Sequence, residues 1–147
     1  MLIAIGSDHR GYELKQKLSS YLSEMGHQYQ DMGCFDKHPI DYPDIAATVA
    51  TAVANREGDR GVLICGTGIG MSITANKIIG IRAALCNDPV LARMARQHNN
   101  ANILCLGGST IGESIASEII SAFLTSEFEG DRHSRRLNKI TRLEQPG

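Results

Sequence analysis

The stretch Gly61-Val62-Leu63-Ile64-Cys65-Gly66-Thr67-Gly68-Ile69-Gly70 decides the reading of this chain. Its first half is apolar, the pattern of a buried strand, and it runs straight into three glycines at every second position. A helix-capable segment, residues 71–78, follows. Glycines so spaced let the backbone turn inward and bring its N–H groups close to a ligand. A thiol at the rim of such a donor-rich loop stands where a thiolate is stabilised. The loop thus joins a base or nucleophile to an anion cradle, which points to chemistry on an anionic substrate or intermediate. The plain alternative is a tight strand-to-helix turn with a buried cysteine.

Three known glycine signatures fit less well. A dinucleotide fingerprint needs G-x-G-x-x-G, whereas the third glycine here comes one residue early; Asp88, further along, keeps that reading open. A cysteine phosphatase loop would place an arginine at position 71, which is Met71. A P-loop would close on Lys-Ser or Lys-Thr, and neither follows the glycines. An amide cradle beside a thiol remains.

Working outward, strand-like and helix-like segments alternate. Strands are expected over 2–6, 28–31, 61–65, 81–85 and 102–106. Helices are expected over 12–25, 45–55 (capped by Asp44), 71–78, 89–97, 112–128 and, as a C-terminal tail, 131–144. Alternation of this kind builds parallel βαβ units, here a three-layer α/β/α sandwich around a five-stranded parallel sheet. Ligands bind such sheets beyond the carboxyl ends of the strands, at a topological switch point. Asp8 and His9 follow the first strand and the glycine loop follows the third, whereas His98 and Asn99 close the fourth helix.

The totals narrow the function classes. A chain of 147 residues is read as one domain, 1–147, with a net charge of −1 that gives no bulk attraction to nucleic acid or an anionic membrane. No apolar run approaches the roughly 20 residues of a membrane span, and the N-terminus reads as a strand rather than a signal peptide. The cysteines Cys34, Cys65, Cys86 and Cys105 show no metal-ligand or CxxC spacing, so reduced thiols in a cytoplasmic protein are expected.

Smaller constellations add to the loop. In Asp8-His9 a carboxylate can hold hydroxyls while an imidazole touches a phosphate or moves a proton; capping of the first helix is the plain reading. His98 ends a helix, where the dipole favours its protonated form, as suits a proton donor; a simple C-cap fits equally. Arg132 and Arg136, four apart, share a helix face in its first turns, where the dipole disfavours cations and a bound anion would offset that cost. They form a candidate phosphate clamp, against the plain reading of a solvated basic face.

Gly6-Ser7-Asp8-His9, Asp41-Tyr42-Pro43, the glycine loop, Ala75-Asn76-Lys77, Gly80-Ile81-Arg82-Ala83, Arg96-Gln97-His98-Asn99 and Glu129-Gly130-Asp131-Arg132-His133 occur in that order. Nearly end to end, this resembles the ribose-5-phosphate isomerase B family of sugar-phosphate isomerases. The resemblance implies a Rossmann-like α/β/α sandwich and a homodimer or dimer of dimers with active sites across the subunit interface. It also implies a place in non-oxidative pentose phosphate metabolism, with no metal and no nucleotide cofactor. By the same resemblance Cys65 is the base that moves a proton between C2 and C1 of ribose 5-phosphate and ribulose 5-phosphate. The amides of Gly66, Gly68, Ile69 and Gly70 stabilise the cis-enediolate, and His98 opens the furanose ring with Thr67 nearby. Asp8 and Asn99 hold sugar hydroxyls, His9, Arg132 and Arg136 bind the phosphate, and Tyr42 lines the pocket.

Two positions depart from that pattern. Many relatives have an arginine two residues after the strand-end glycine, where this chain has Ser109, and Arg10 replaces a usually small residue. Ser109 then offers a hydroxyl to the substrate, and Arg10 can supply a positive charge from another direction. Because allose 6-phosphate and galactose 6-phosphate isomerases share this scaffold, a six-carbon substrate is the nearest alternative. A non-catalytic nucleotide- or sugar-phosphate-binding module is the alternative from another class.

Overall fold

The computed structural model describes residues 1–146. The elements run β1 (Leu2–Ser7), α1 (Tyr12–Glu24), β2 (Gln28–Asp31), α2 (Tyr42–Ala54), β3 (Arg60–Cys65), α3 (Ile69–Ala75), β4 (Ala83–Leu85), α4 (Pro89–Asn99), β5 (Ile103–Gly107), α5 (Glu113–Thr125) and α6 (Arg132–Leu143). The strands form one sheet in the order β2-β1-β3-β5-β4, and every pairing is parallel.

Successive side chains of a strand point to opposite faces, so a sheet covered on both sides needs apolar residues throughout. Ile3, Ile5, Val62, Ile64, Leu104 and Leu106 face one core with Leu14, Leu18 and Leu22 of α1 and Phe123 of α5. Ala4, Leu63, Cys65, Ile103 and Cys105 face the other, with Val49 and Val53 of α2 and Met71 of α3. Each large side chain so buried contributes about 1.5–3 kcal/mol relative to exposure. The layers follow from one handedness rule: β1→β2 and β4→β5 step one way along the sheet, with α1 and α4 on the first face. By contrast β2→β3 and β3→β4 step the other way, with α2 and α3 on the second. The direction reverses between β1 and β3, and there the carboxyl ends of neighbouring strands open a crevice.

Some local expectations are corrected. Asp44 does not cap α2; Asp41 stands at the N-cap, Pro43 occupies the first turn, and Asp44 lies inside the helix. The helix after the glycines begins two residues earlier, at Ile69, because Gly68 adopts the left-handed conformation that launches it. Asp88 is the N-cap of α4, its Oδ1 accepting from Leu91 N–H at 2.8 Å, which accounts for a carboxylate there without any nucleotide.

One buried charge holds a wall of the crevice. Lys15 on α1 is fully buried; its Nζ donates to Asp31 Oδ1 at 2.6 Å and to the Cys34 carbonyl. Asp31 Oδ1 also accepts from Gly33 N–H, while Ser7 N–H donates to the Gly33 carbonyl and Cys34 N–H to the Ser7 carbonyl. Removing one partner of such a pair costs about 3–5 kcal/mol, since it strands the other. The loop so anchored continues to Ile40 and Tyr42.

Candidate active site

The crevice at the switch point is a cavity of about 550 Å³. β1 delivers Asp8, His9 and Arg10; β3 delivers Cys65, Gly66 and Thr67; Ile69, Gly70 and Ile73 come from α3, and Ile40, Asp41 and Tyr42 from the loop before α2. Its floor is stitched between strands: Asp8 N–H donates to the Ile64 carbonyl at 3.1 Å, Gly108 N–H to the Cys65 carbonyl at 2.7 Å, and Ser109 N–H to the Gly66 carbonyl at 3.0 Å.

Close packing explains the glycines. Gly68 has φ of +81°, and a Cβ there would stand 2.6 Å from Leu85 and about 3 Å from the Leu106 carbonyl. This places Gly68 N–H 3.1 Å from Cys65 Sγ, a donor aimed at the sulfur. Thr67 Oγ1 accepts from Ile69 N–H at 3.2 Å, which turns the hydroxyl toward the helix start. A Cβ on Gly70 would be 2.5 Å from the Tyr42 ring, so the ring lies directly on the backbone of the cradle. Asp8 is buried, and its Oδ1 accepts from Arg10 N–H at 3.0 Å and Gly11 N–H at 3.1 Å. His9 Nδ1 accepts from Ile40 N–H at 3.2 Å, so the neutral ring carries its proton on Nε2. Ser109 sits exposed on the rim, beside Gly66.

A second group forms elsewhere on the same chain. His98 occupies the last turn of α4, its Nε2 3.5 Å from Glu129, and its ring stacks on His133 with centroids 4.4 Å apart. Arg96, buried on the same helix, ties this end down by bonds to Asn100 Oδ1 and the carbonyls of Ala101 and Ser126. Glu129 N–H donates to the Gln97 carbonyl at 3.0 Å, and the chain then turns at Gly130 and Asp131, both at positive φ, into α6 with Arg132 and Arg136. His133 is buried and its Nε2 has no partner among the described residues. Burial first, then Arg132 and His98, hold its pKa below the ordinary value. His98, Glu129 and His133 gather their ligand atoms within 4.8 Å of one another, as a metal site would. Arg132 and Arg136 act on His133 in the sense that repels a cation, and Glu129 acts in the opposite sense.

Within one chain, then, Asp8, His9, Tyr42, Cys65, Gly66, Thr67, Ile69 and Gly70 come together, with Gly68 beneath them. His98, Asn99, Arg132 and Arg136 do not line that cavity. An α4 of 11 residues carries the chain roughly 16 Å from the crevice end of the sheet back toward its opposite edge before His98 is reached. Asn99 instead lines a separate groove with Ile79, Leu137, Ile140 and Leu143. Sequence reasoning did not place Ile40, Asp41 and Ile73 in the crevice, nor Glu129 and His133 beside His98. Only the motif around residue 129 carried a signal for the last two.

The fold and the crevice define an α/β enzyme that works on a small ligand at a sheet switch point. The ribose/galactose isomerase family profile matches residues 3–140. The ribose-5-phosphate isomerase B of Escherichia coli K12 is 46% identical over 143 residues, covering 97% of this chain and 96% of that protein. A D-erythrulose-4-phosphate isomerase of Pectobacterium atrosepticum is 45% identical, covering 94% and 91%. The structure of ribose-5-phosphate isomerase B from Clostridium thermocellum superposes with a TM-score of 0.97 at 48% identity, covering 98% of this chain and 97% of that one. The chain belongs to the ribose/galactose isomerase family and is a sugar-phosphate isomerase. The reading as a non-catalytic binding module therefore falls. No helix among the described residues is long and apolar enough to cross a membrane.

Proposed function

We propose that the enzyme interconverts D-ribose 5-phosphate and D-ribulose 5-phosphate through a cis-enediolate, using its own side chains and amides without metal or nucleotide. The observation that carries this reading is the Cys65 thiol at the floor of the crevice, faced by Gly68 N–H and ringed by Asp8, His9, Thr67 and Tyr42. His98 protonates the ring oxygen as the furanose opens, with the Thr67 hydroxyl nearby. The Cys65 thiolate removes the C2 proton of the open-chain aldehyde, and the charge moves onto O1, where the amides of Gly66, Gly68, Ile69 and Gly70 stabilise it. The proton returns from sulfur to C1 as the O2 proton passes to O1, giving the ketose. Asp8 and Asn99 hold hydroxyls, Ser109 offers a further hydroxyl from the rim, and Tyr42 closes the wall. His9, Arg132 and Arg136 bind the phosphate, whose binding energy orients the reacting carbons.

In this reading the active enzyme is a homodimer, or a dimer of such dimers, and His98, Asn99, Arg132 and Arg136 reach the crevice from the second copy. The separation of the two groups within one chain supports this. So does apolar surface beside both: Ile73 at the crevice is 58% exposed and Leu143 on α6 is 85% exposed. The relative named for erythrulose 4-phosphate and the galactose in the family description favour one second reading, the same chemistry on a sugar of another chain length. Incubation with ribose 5-phosphate, allose 6-phosphate and galactose 6-phosphate, following ketose formation, ranks these by kcat/KM. The pentose is expected to lead, and absence of turnover with every sugar phosphate would sink the assignment.

A further inference from the structure

The β1–α1 and β5–α5 loops touch backbone to backbone. A Cβ at Gly108 would lie 2.9 Å from the Arg10 carbonyl oxygen, and one at Gly11 would strike the Ile64 carbonyl at 2.4 Å. Positions 10 and 109 therefore share one rim of the crevice. They also converge on one point of its floor: a Cβ at Gly66 would stand 3.1 Å from Arg10 Cδ, 3.4 Å from its Nη1 and 3.8 Å from Ser109 Oγ. The Arg10 side chain lies over this glycine, next to Cys65, and lines the cavity. No carboxylate among the described residues pairs with its guanidinium. Asp8, the nearest in sequence, has Oδ1 taken by the backbone N–H groups of residues 10 and 11. His9 alongside presents Nε2–H, since Nδ1 is used by Ile40. Two adjacent donors of one loop, one of them a permanent cation, thus face a cavity whose two carboxylates, Asp8 and Asp41, form no ion pair with either among the described residues. A guanidinium in this setting binds phosphate oxygens through its fork of N–H groups.

We propose that Arg10 is a binding residue for the substrate phosphate, supplying from the β1–α1 loop a charge that position 109 can equally supply from the β5–α5 loop. The assignment rests on the sugar-phosphate reading above. The side chain is exposed, so Arg10→Ala leaves the fold alone. In that variant KM for ribose 5-phosphate is expected to rise roughly 10- to 100-fold with kcat nearly unchanged, the loss of a charged hydrogen-bonded contact. With unphosphorylated ribose as a second substrate, wild type and Arg10→Ala are expected to give the same kcat/KM, and Ser109→Arg in the Arg10→Ala background is expected to restore most of the affinity for ribose 5-phosphate. An unchanged KM, an equal loss on ribose and ribose 5-phosphate, or no restoration by Ser109→Arg each overturns the proposal. Calorimetry with inorganic phosphate on the intact protein separates the two readings. If wild type turns over no sugar phosphate yet Arg10→Ala weakens phosphate binding, the substrate assignment fails and the anion site stands. If turnover is normal and phosphate binds both proteins alike, Arg10 has no such role.

Discussion

The two halves of the candidate site are made differently. The Cys65 half is backbone against backbone: Gly68 under Leu85 and Leu106, Gly70 under Tyr42, and the N–H groups of Gly68 and Ile69 held in place by Sγ and Oγ1 until an oxyanion draws them. The His98 half is side chain against side chain on helix surfaces, with a stacked imidazole pair and, among the described residues, an unpartnered buried nitrogen and two arginines without carboxylate partners. The first is complete at rest and rigid by packing. The second carries unspent binding capacity, which a ligand and a second copy of the chain would use. Rigidity at the proton-transfer carbon and unsatisfied charge at the phosphate are what an enediolate mechanism asks of each.

The largest test of this division is complementation. Cys65→Ala should lower kcat roughly 10³–10⁴-fold and abolish proton exchange at C2 while phosphate-bearing inhibitors still bind. His98→Gln should be similarly poor on the ring-closed substrate. Unfolding and refolding the two inactive proteins together at equal ratio should recover about a quarter of wild-type activity, because half the dimers then carry one intact site of two. A mixture as inactive as its components would place both residues in one chain's site. Next, Gly68→Ala should damage the first half through folding, at about 1–3 kcal/mol for forcing a side chain to positive φ, read as a lowered Tm. Arg136→Ala should damage the second through affinity alone, raising KM about tenfold with Tm unmoved; a change confined to kcat would remove it from the phosphate. The smallest effect is with pH. Because His133 takes up a proton less readily folded than unfolded, its contribution is intact above its ordinary value of 6.5 and is lost as pH falls from there toward the folded value. Thermal unfolding between neutral and mildly acidic pH should show that slope in wild type and a flatter one in His133→Gln.

The same division decided what could be read from the amino acids. Element order followed from alternation, and the crevice followed from strand ends, since both are local patterns written in Val62, Leu63, Ile64 and the glycines. Helix limits were off by a turn at α2, because Asp41 and Asp44 are equally good caps and only the tertiary path of the preceding loop chooses. The buried Lys15 broke the apolar stripe of α1, and no local rule shows that a lysine there meets Asp31 and a carbonyl 19 residues away. Glu129 and His133 joined His98 only through the fold-back at Gly130 and Asp131, a non-local contact with no periodic trace. Arg10 stands out in the sequence as an odd residue, but its meeting with position 109 exists only once the loops are placed in space.

The strand order has a consequence for how the chain comes to be. β4 pairs only with β5, and β5 must slide between β3 and β4, which precede it in the sequence. On a ribosome the first three strands can zip together, yet β4 must wait without a neighbour and β3 keeps a bare edge until residue 107 has emerged. Nascent chains halted in that interval would be the ones most in need of a chaperone. Since the bare edge ends at Cys65, the strand exposed to misassembly is the one that carries the proposed catalytic base.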